Sequence, residues 1–340
     1  SIFDILRRKK KIPTPWAKYY TSEQMNIEIP NISMYKQVYD SYKKYPDYTA
    51  YEYLGRKVSY KKFIKQIDKV ALSFQKLGVK KGDIISICLP NVPEALISLY
   101  ALNKLGAIAS MVHPLSAEEE LKEKFISTKS VYLIMFSDFY DKVKDVVNVT
   151  NVKKIIFVSA ADSMNLFLGT IYRISRLKKY KHHPIKKEYM SWSYFSNMAL
   201  FYKAKEFPKV GKNTPALIIS SGGTSGKPKN VVIQNRAFIL GSMQENISLK
   251  TLKAGDCCLA ILPNFHGFGL SVLMHTPLAL GCYTILVPQF DAKKCDTLFK
   301  KTRPTCVLGV PTLFEALMNA KNEENLDLSF LKYVVSGGDM

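Results

Sequence analysis

The sequence predicts an α/β fold built from two doubly wound, mostly parallel sheet layers. Three observations carry this expectation. Short apolar runs of the kind that form buried strands alternate with amphipathic helical patterns from about residue 56 onwards. The alternation breaks near residue 160 and resumes after residue 214, so the chain reads as two such layers. Hydrophobic residues make up 47% of the 340, enough to fill the cores that two sheets need. Buried strands joined through helices pair in parallel, with right-handed crossovers and helices on both faces of the sheet.

The elements follow in order. Arg56 to Tyr60 (RKVSY) reads as a short strand. In the next segment Phe63, Ile67, Val70, Ala71, Phe74 and Leu77 fall on one helical face, and Gly78 suits the C-terminal cap. DIISICLP is a buried strand stopped by Pro90. PEALISLYALNKLG is a helix with Pro93 near its start and Gly106 at its end. AIASMVHP is the next strand, and the helix after it takes Ser116 as its N-cap, with acids in the first turn. VYLIMF is a strand, DFYDKVKDVV a helix and KKIIFVS a strand. Beyond residue 214 the strands are ALIIS, CCLAILP, YTILVP, TCVLGVP and YVVSGG, with helices between them. The organisation expected is a first α/β lobe over 33–159, a variable basic insertion over 160–208, and a second lobe over 209–340.

The insertion interleaves apolar Leu166, Leu168, Ile171, Tyr172, Ile174 and Leu177 with Arg173, Arg176, Lys178 and Lys179. It reads either as an amphipathic segment docked on the body or as a basic element at an anionic membrane surface. No apolar run approaches the roughly 20 residues of a membrane span. No N-terminal signal peptide is expected, because SIFDILRRKKK has neither an adequate apolar core nor a cleavage site. The six cysteines form no C-x-x-C pair, which points to reduced, buried thiols and a cytoplasmic setting. The formal charge is +21, a field that attracts polyanions. The lysines are scattered over helix faces, without a zinc finger, RNP-type or basic-zipper pattern, so no nucleic-acid partner is expected.

One loop carries chemistry. SSGGTSGKPKNVV, Ser220 to Val232, leaves a buried strand with three glycines, two lysines and several hydroxyls. Such loops hold phosphate. It is not a Walker loop: three residues, not four, separate Gly222 from Gly226, and Pro228 stands where a magnesium-binding hydroxyl is required. No G-x-G-x-x-G dinucleotide pattern occurs.

The loop closely resembles the phosphate-binding signature of the adenylate-forming superfamily, which includes acyl-CoA synthetases, aryl-CoA ligases, luciferases and peptide-synthetase adenylation domains. Ser221, Gly223, Thr224, Gly226, Pro228 and Lys229 fall on that pattern, while Asn230 departs from the usual glycine. LPNFHGFGL (Leu262 to Leu270) is similar to the segment carrying the acyl-site histidine, here His266. LGVPTLF resembles the family's Gly-x-Pro-Thr segment at Gly309, Pro311 and Thr312, and VVSGGDM its Ser-Gly-Gly segment. Asp339 stands where a small residue is usual. The likeness runs from about residue 33 and implies the large N-terminal domain of such an enzyme, incomplete at Met340. The adenine segment, the hinge and the small C-terminal domain with its adenylation lysine are absent from the sequence. Poor or no adenylation by the chain alone is therefore expected.

The resemblance implies that a carboxylate joins the α-phosphate of ATP, giving acyl-adenylate and pyrophosphate, and that a thiol, usually that of CoA, takes the acyl group. A carboxylate is already ionised, so the first step needs positioning and charge neutralisation instead of a base. The phosphate ligands implied are Ser221, Gly222, Gly223, Thr224, Ser225, Gly226, Lys227 and Lys229, with Mg2+ arriving on ATP. Thr224, Lys229 and His266 are the implied catalytic residues. His266, Gly267, Gly309, Pro311, Gly337 and Gly338 are the implied acyl and adenine pocket. His113, His182, His183 and His275 read as ordinary structural histidines. Amino-acid-activating members of the superfamily place an aspartate near the His266 segment to hold the substrate ammonium; no acid occurs here from Leu262 to Pro288, where a buried ammonium would be unpaired, so the resemblance implies a fatty or aryl acid over an amino acid. Two alternatives remain: a non-catalytic nucleotide-binding relative, and an adenylation enzyme that loads a carrier-protein thiol.

Overall fold

The computed structural model of the chain describes residues 14–164, 174, 186–221, 228–319 and 326–338. Its strands, among these residues, are β1 (Thr49–Tyr53), β2 (Arg56–Ser59), β3 (Ile84–Cys88), β4 (Ile108–Met111), β5 (Tyr132–Phe136), β6 (Lys154–Val158), β7 (Tyr189–Ser191), β8 (Pro215–Ser220), β9 (Asn230–Gln234), β10 (Cys257–Ala260), β11 (Tyr283–Leu286), β12 (Cys306–Gly309) and β13 (Tyr333–Ser336). A seven-stranded sheet has the order β7-β6-β5-β3-β4-β8-β9, and a six-stranded sheet the order β13-β12-β10-β11-β1-β2. Every pairing is parallel except β8 with β9 and β1 with β2. The two mostly parallel layers are those the alternating pattern predicts.

The sheets do not divide the chain where the lobes 33–159 and 209–340 would. β1 and β2 join the later strands through β11, and β8 and β9 join the earlier ones through β4. The glycine-rich loop thus belongs to the first sheet. Its strand does not lead straight into a helix either. β9 turns back along β8 first, pairing Ser220 with Asn230.

The helices are placed by their apolar faces. Helix α1 (Met34–Lys44) and helix α2 (Tyr60–Lys76) each begin on a serine whose hydroxyl accepts a backbone N–H, Ser33 from Lys36 and Ser59 from Lys62. Phe63, Ile67, Val70, Ala71 and Phe74 of α2 are all buried, and Gly78 ends it at φ +84°. In helix α3 (Pro93–Lys104) every residue from Pro93 to Asn103 is buried. A helix that is apolar all round belongs in an interior. One core cluster accordingly joins β1, β3, α2 and α3 with Leu273 and Leu278, while separate clusters cover the far face of each sheet.

Two local expectations need correction. Helix α4 (Glu118–Thr128) takes Ala117, not Ser116, as its cap residue. Ser116 is held in a turn by its N–H to the carbonyl of His113, and the carboxylate of Glu120 accepts the N–H of Ala117 at 3.3 Å. The DFYDKVKDVV run is not one helix but a 3-10 turn and two single turns, Tyr140–Val143 and Val146–Val149. Valine-rich runs this short propagate helix weakly. All six cysteines are free and buried. Among the described residues no helix is long and apolar enough to cross a membrane. Residues 165–173 and 175–185 of the basic insertion, with His182 and His183, lie outside the described residues.

Candidate functional site

The site begins with a repeated tripeptide. β3 and β10, one in each sheet, both run into Leu-Pro-Asn: Leu89-Pro90-Asn91 and Leu262-Pro263-Asn264. Proline ends strand pairing there. The two asparagines then clasp the opposite strand ends. Asn91 Nδ2 donates to the carbonyls of Ala260 (3.0 Å) and Leu262 (2.9 Å), and its Oδ1 accepts the N–H of Asn264 (2.9 Å). Asn264 Nδ2 donates to the carbonyls of Leu89 (3.1 Å) and Pro90 (2.8 Å). Both side chains are buried, where such bonds are costly to lose. The clasp fixes the carboxyl ends of the two sheets together, the usual place for a ligand in an α/β fold.

It also aims the segment that follows. His266 precedes a short helix, Gly267–Leu270, with its carbonyl accepting the N–H of Leu270 at 3.0 Å. Gly269 makes the turn possible. A Cβ there would lie 2.3 Å from the carbonyl oxygen of Pro263 and 2.8 Å from that of Leu262. Gly269→Ala is expected to destabilise the protein by about 1–3 kcal/mol through forced backbone displacement. A urea midpoint equal to the wild type would show that the loop yields freely.

A cavity of about 620 Å³ opens between this segment, helix α4 and the ends of β8 and β9. Met111, Val112, Leu121, Ile126 and Phe265 supply an apolar lining. His113 and His266 stand together on one wall. The His113 ring stacks on Phe265 at 4.3 Å and 17°, and the Phe265 and His266 ring centroids are 5.0 Å apart. The N–H of Leu115 donates to His113 Nδ1 at 3.1 Å, which leaves the proton of the neutral ring on Nε2. Burial, and then the neighbouring His266, hold the His113 pKa below its ordinary value. Ser220, Ser221, Pro228 and Asn230, the two feet of the glycine-rich loop, line the same cavity. Ser221 and Lys229 close the hairpin: the N–H of Ser221 donates to the Lys229 carbonyl at 2.9 Å, and the N–H of Lys229 to Ser221 Oγ at 3.4 Å.

An apolar cavity with convergent polar groups, set where two α/β sheets meet beside a glycine-rich hairpin, has the form of a small-molecule site. The profile of the AMP-binding enzyme family matches residues 38–340. The chain belongs to the AMP-binding enzyme family. Among the relatives of this AMP-binding chain, a long-chain-fatty-acid–CoA ligase of Bacillus subtilis (strain 168) is 27% identical over 329 residues, covering 95% of this chain and 58% of the relative. A protein named "Probable 4-coumarate–CoA ligase 1" of Dictyostelium discoideum is 28% identical over 332 residues, covering 94% and 57% respectively. The chain therefore spans a little over half the length of these relatives. In fold it is similar to the anthranilate CoA ligase AuaEII, solved in complex with anthranoyl-AMP, with a TM-score of 0.76 at 18% identity, covering 92% of this chain and 56% of that one. It is also similar to the long-chain-fatty-acid-CoA ligase FadD1 of Archaeoglobus fulgidus, with a TM-score of 0.74 at 19% identity, covering 92% and 58%.

In this AMP-binding chain the expected site residues fall into three groups. Ser221 and His266 line the cavity, with exposed Lys229 at its hairpin and exposed Gly267 next to His266. Gly222, Gly223, Thr224, Ser225, Gly226 and Lys227 lie outside the described residues, as does Asp339. Gly309, Pro311, Gly337 and Gly338 are not in the cavity lining but sit at the ends of β12 and β13. There the N–H of Gly337 donates to the Gly309 carbonyl at 3.0 Å, and Pro311 opens helix Pro311–Asn319. A Cβ on Gly338 would lie 3.4 Å from the Phe268 ring, so this group reaches the His266 segment through Phe268. His275 is the satisfied core histidine expected: Tyr100 Oη and Nδ1, and Nε2 and Gln37 Oε1, are each 2.9 Å apart. His113 is not a core residue. It is exposed and lines the cavity, a placement decided by its Phe265 contact and invisible in its own segment.

Proposed function

We propose that the whole protein activates a carboxylic acid with ATP, releasing pyrophosphate and forming an acyl-adenylate, and then passes the acyl group to the thiol of CoA. The observation that carries this reading is the apolar cavity lined both by His266 and by the two feet of the glycine-rich hairpin. A carboxylate oxygen attacks the α-phosphorus, and the bond to pyrophosphate breaks. The CoA sulfur then attacks the acyl carbonyl, and AMP leaves. Ser221, Gly222, Gly223, Thr224, Ser225, Gly226, Lys227 and Lys229 hold the phosphates, with Thr224 and Lys229 at the developing charge. His266 and Gly267 orient the acid. Gly309, Pro311, Gly337 and Gly338 wall the adenine. Mg2+ enters on ATP and screens its phosphates. Among the described residues no cluster of three or more His, Cys, Asp or Glu side chains is gathered to hold a metal by itself.

A fatty or aryl acid is the substrate class we favour, supported by the five apolar side chains lining the cavity. Glu120 and Glu123 of α4 also reach that cavity, so amino acids belong among the acids to be tested. The cytoplasmic setting rests on six free, buried cysteines. Peripheral contact with anionic membrane rests on the basic insertion, within which Ile174, Leu200 and Phe201 are exposed.

The test is acid-dependent release of pyrophosphate from Mg-ATP by the full polypeptide, across fatty, aryl and amino acids. Fatty or aryl acids are expected to stimulate release. Lys229→Ala is expected to lower it by about tenfold to a hundredfold, the range for losing a charged hydrogen-bond donor. ATP binding without stimulation by any acid would leave a nucleotide-binding protein and end the catalytic reading. Thioester formed on a carrier protein and not on CoA would reassign the acceptor.

A further inference from the structure

Lys124 is a cation in the cavity that the glycine-rich motif does not supply. It stands on α4, and its Nζ lies 2.7 Å from Ser220 Oγ and 2.5 Å from Asn230 Oδ1. Those two residues face each other across the β8–β9 ladder, at the point where the loop leaves the sheet. Asn230 Nδ2 donates to Ser127 Oγ at 3.0 Å, which turns its carbonyl oxygen toward the lysine. Both partners are neutral oxygens, and an ammonium has three N–H donors. Among the described residues no carboxylate forms an ion pair with Lys124. Glu120 accepts the N–H of Ala117, and Glu123 is exposed. His113 and His266 face the cavity from the Phe265 side, and Lys229 stands next to Asn230. Desolvation pulls the Lys124 pKa down to about 8. A half-buried cation without a counter-charge is unfavourable until an anion reaches it.

We propose that Lys124 is a phosphate-binding residue of this site, reaching the phosphates of ATP or of released pyrophosphate from helix α4. The proposal rests on the adenylation reading above. Asn230, the departure from the family's glycine, is then the residue that orients this added cation. Binding an anion restores the charged form of Lys124, so affinity falls as pH rises through and above about 8. His113, held below its ordinary value, is already neutral in that range, and an arginine would stay charged.

The experiment uses the full polypeptide and Mg-pyrophosphate, followed by titration calorimetry at about pH 7 and about pH 9 for the wild type, Lys124→Met, Lys124→Arg and Lys229→Ala. Alongside it, acetylation of each lysine by acetic anhydride is mapped by mass spectrometry with and without pyrophosphate. Lys124→Met is expected to weaken binding about tenfold, and Lys124→Arg to keep it within about threefold and flatten its pH dependence. Saturating pyrophosphate is expected to slow acetylation of Lys124 in the wild type. If the wild type binds and Lys229→Ala weakens binding, but Lys124→Met binds normally and Lys124 is not protected, the proposal falls while the adenylation reading stands. If the wild type binds neither pyrophosphate nor ATP, both fall. Should Lys124→Met fail to fold, protection of Lys124 in the wild type decides the matter alone.

Discussion

Asn91→Ala is expected to lower stability by about 3 kcal/mol, the sum of a few buried hydrogen bonds and the desolvation of the groups they leave behind. One side chain makes three bonds to the opposite sheet, at 2.9–3.0 Å. Removing it leaves the buried N–H of Asn264 without its acceptor. The loss should appear as a lower urea midpoint at unchanged slope. Asn264→Ala should do the same, and the double variant should cost less than the sum, because each asparagine organises the loop that the other binds. On the adenylation proposed above, catalysis should suffer beyond stability: at a temperature where the variant remains folded, acid-dependent pyrophosphate release should still be low, since the His266 segment loses the clasp that holds it. Additive losses, or a variant within about 1 kcal/mol of the wild type with normal release, would mean that the clasp is incidental.

Acidification should reach the second clasp, around His275. Burial lowers the pKa of this histidine to about 3. Tyr100 Oη sits 2.9 Å from Nδ1 and Gln37 Oε1 2.9 Å from Nε2. With Tyr100 donating and Gln37 accepting, the neutral ring is fully bonded. The unfolded chain takes up this proton near pH 6.5 and the native chain does not. The stability associated with His275 is therefore complete above about pH 6.5 and is lost as pH falls, reaching roughly 2.7 kcal/mol by about pH 4.5. Glu94 acts in the opposite direction. Burial raises its pKa to about 7, so the native state holds that proton before the unfolded one does, and acidification favours folding through this group. The wild-type profile consequently shows only the difference. His275→Gln separates the two: less stable at neutral pH, it should lose about 2–3 kcal/mol less than the wild type between about pH 7 and 4.5. Parallel pH profiles for the two proteins would show that His275 takes up its proton without penalty in the native state.

Much of the fold was legible because its signals are local. The buried strands announce themselves as apolar runs ended by Pro90 or Pro263, and helix α2 by the recurrence of Phe63, Ile67, Val70 and Phe74. The glycine-rich hairpin and the His266 segment were legible as motifs, and the family followed from them. Less visible were β1, whose tyrosine-rich run carries a weak strand signal, and β9, whose pairing back on β8 has no local signal. The repeated Leu-Pro-Asn was in plain view and could have pointed to the clasp.

The sequence by itself determined most of the elements, the glycine-rich motif and the family. Tertiary structure alone decided which sheet each strand joins and which side chains face the cavity. Asn91 finds the N–H of Asn264 across 173 residues, and Lys124 finds Asn230 across 106. Periodicity and capping act over a turn or two of chain, whereas these contacts depend on how two sheets close on one core. That is why His113 and Lys124, unremarkable in their own segments, stand at the site only once the chain has folded.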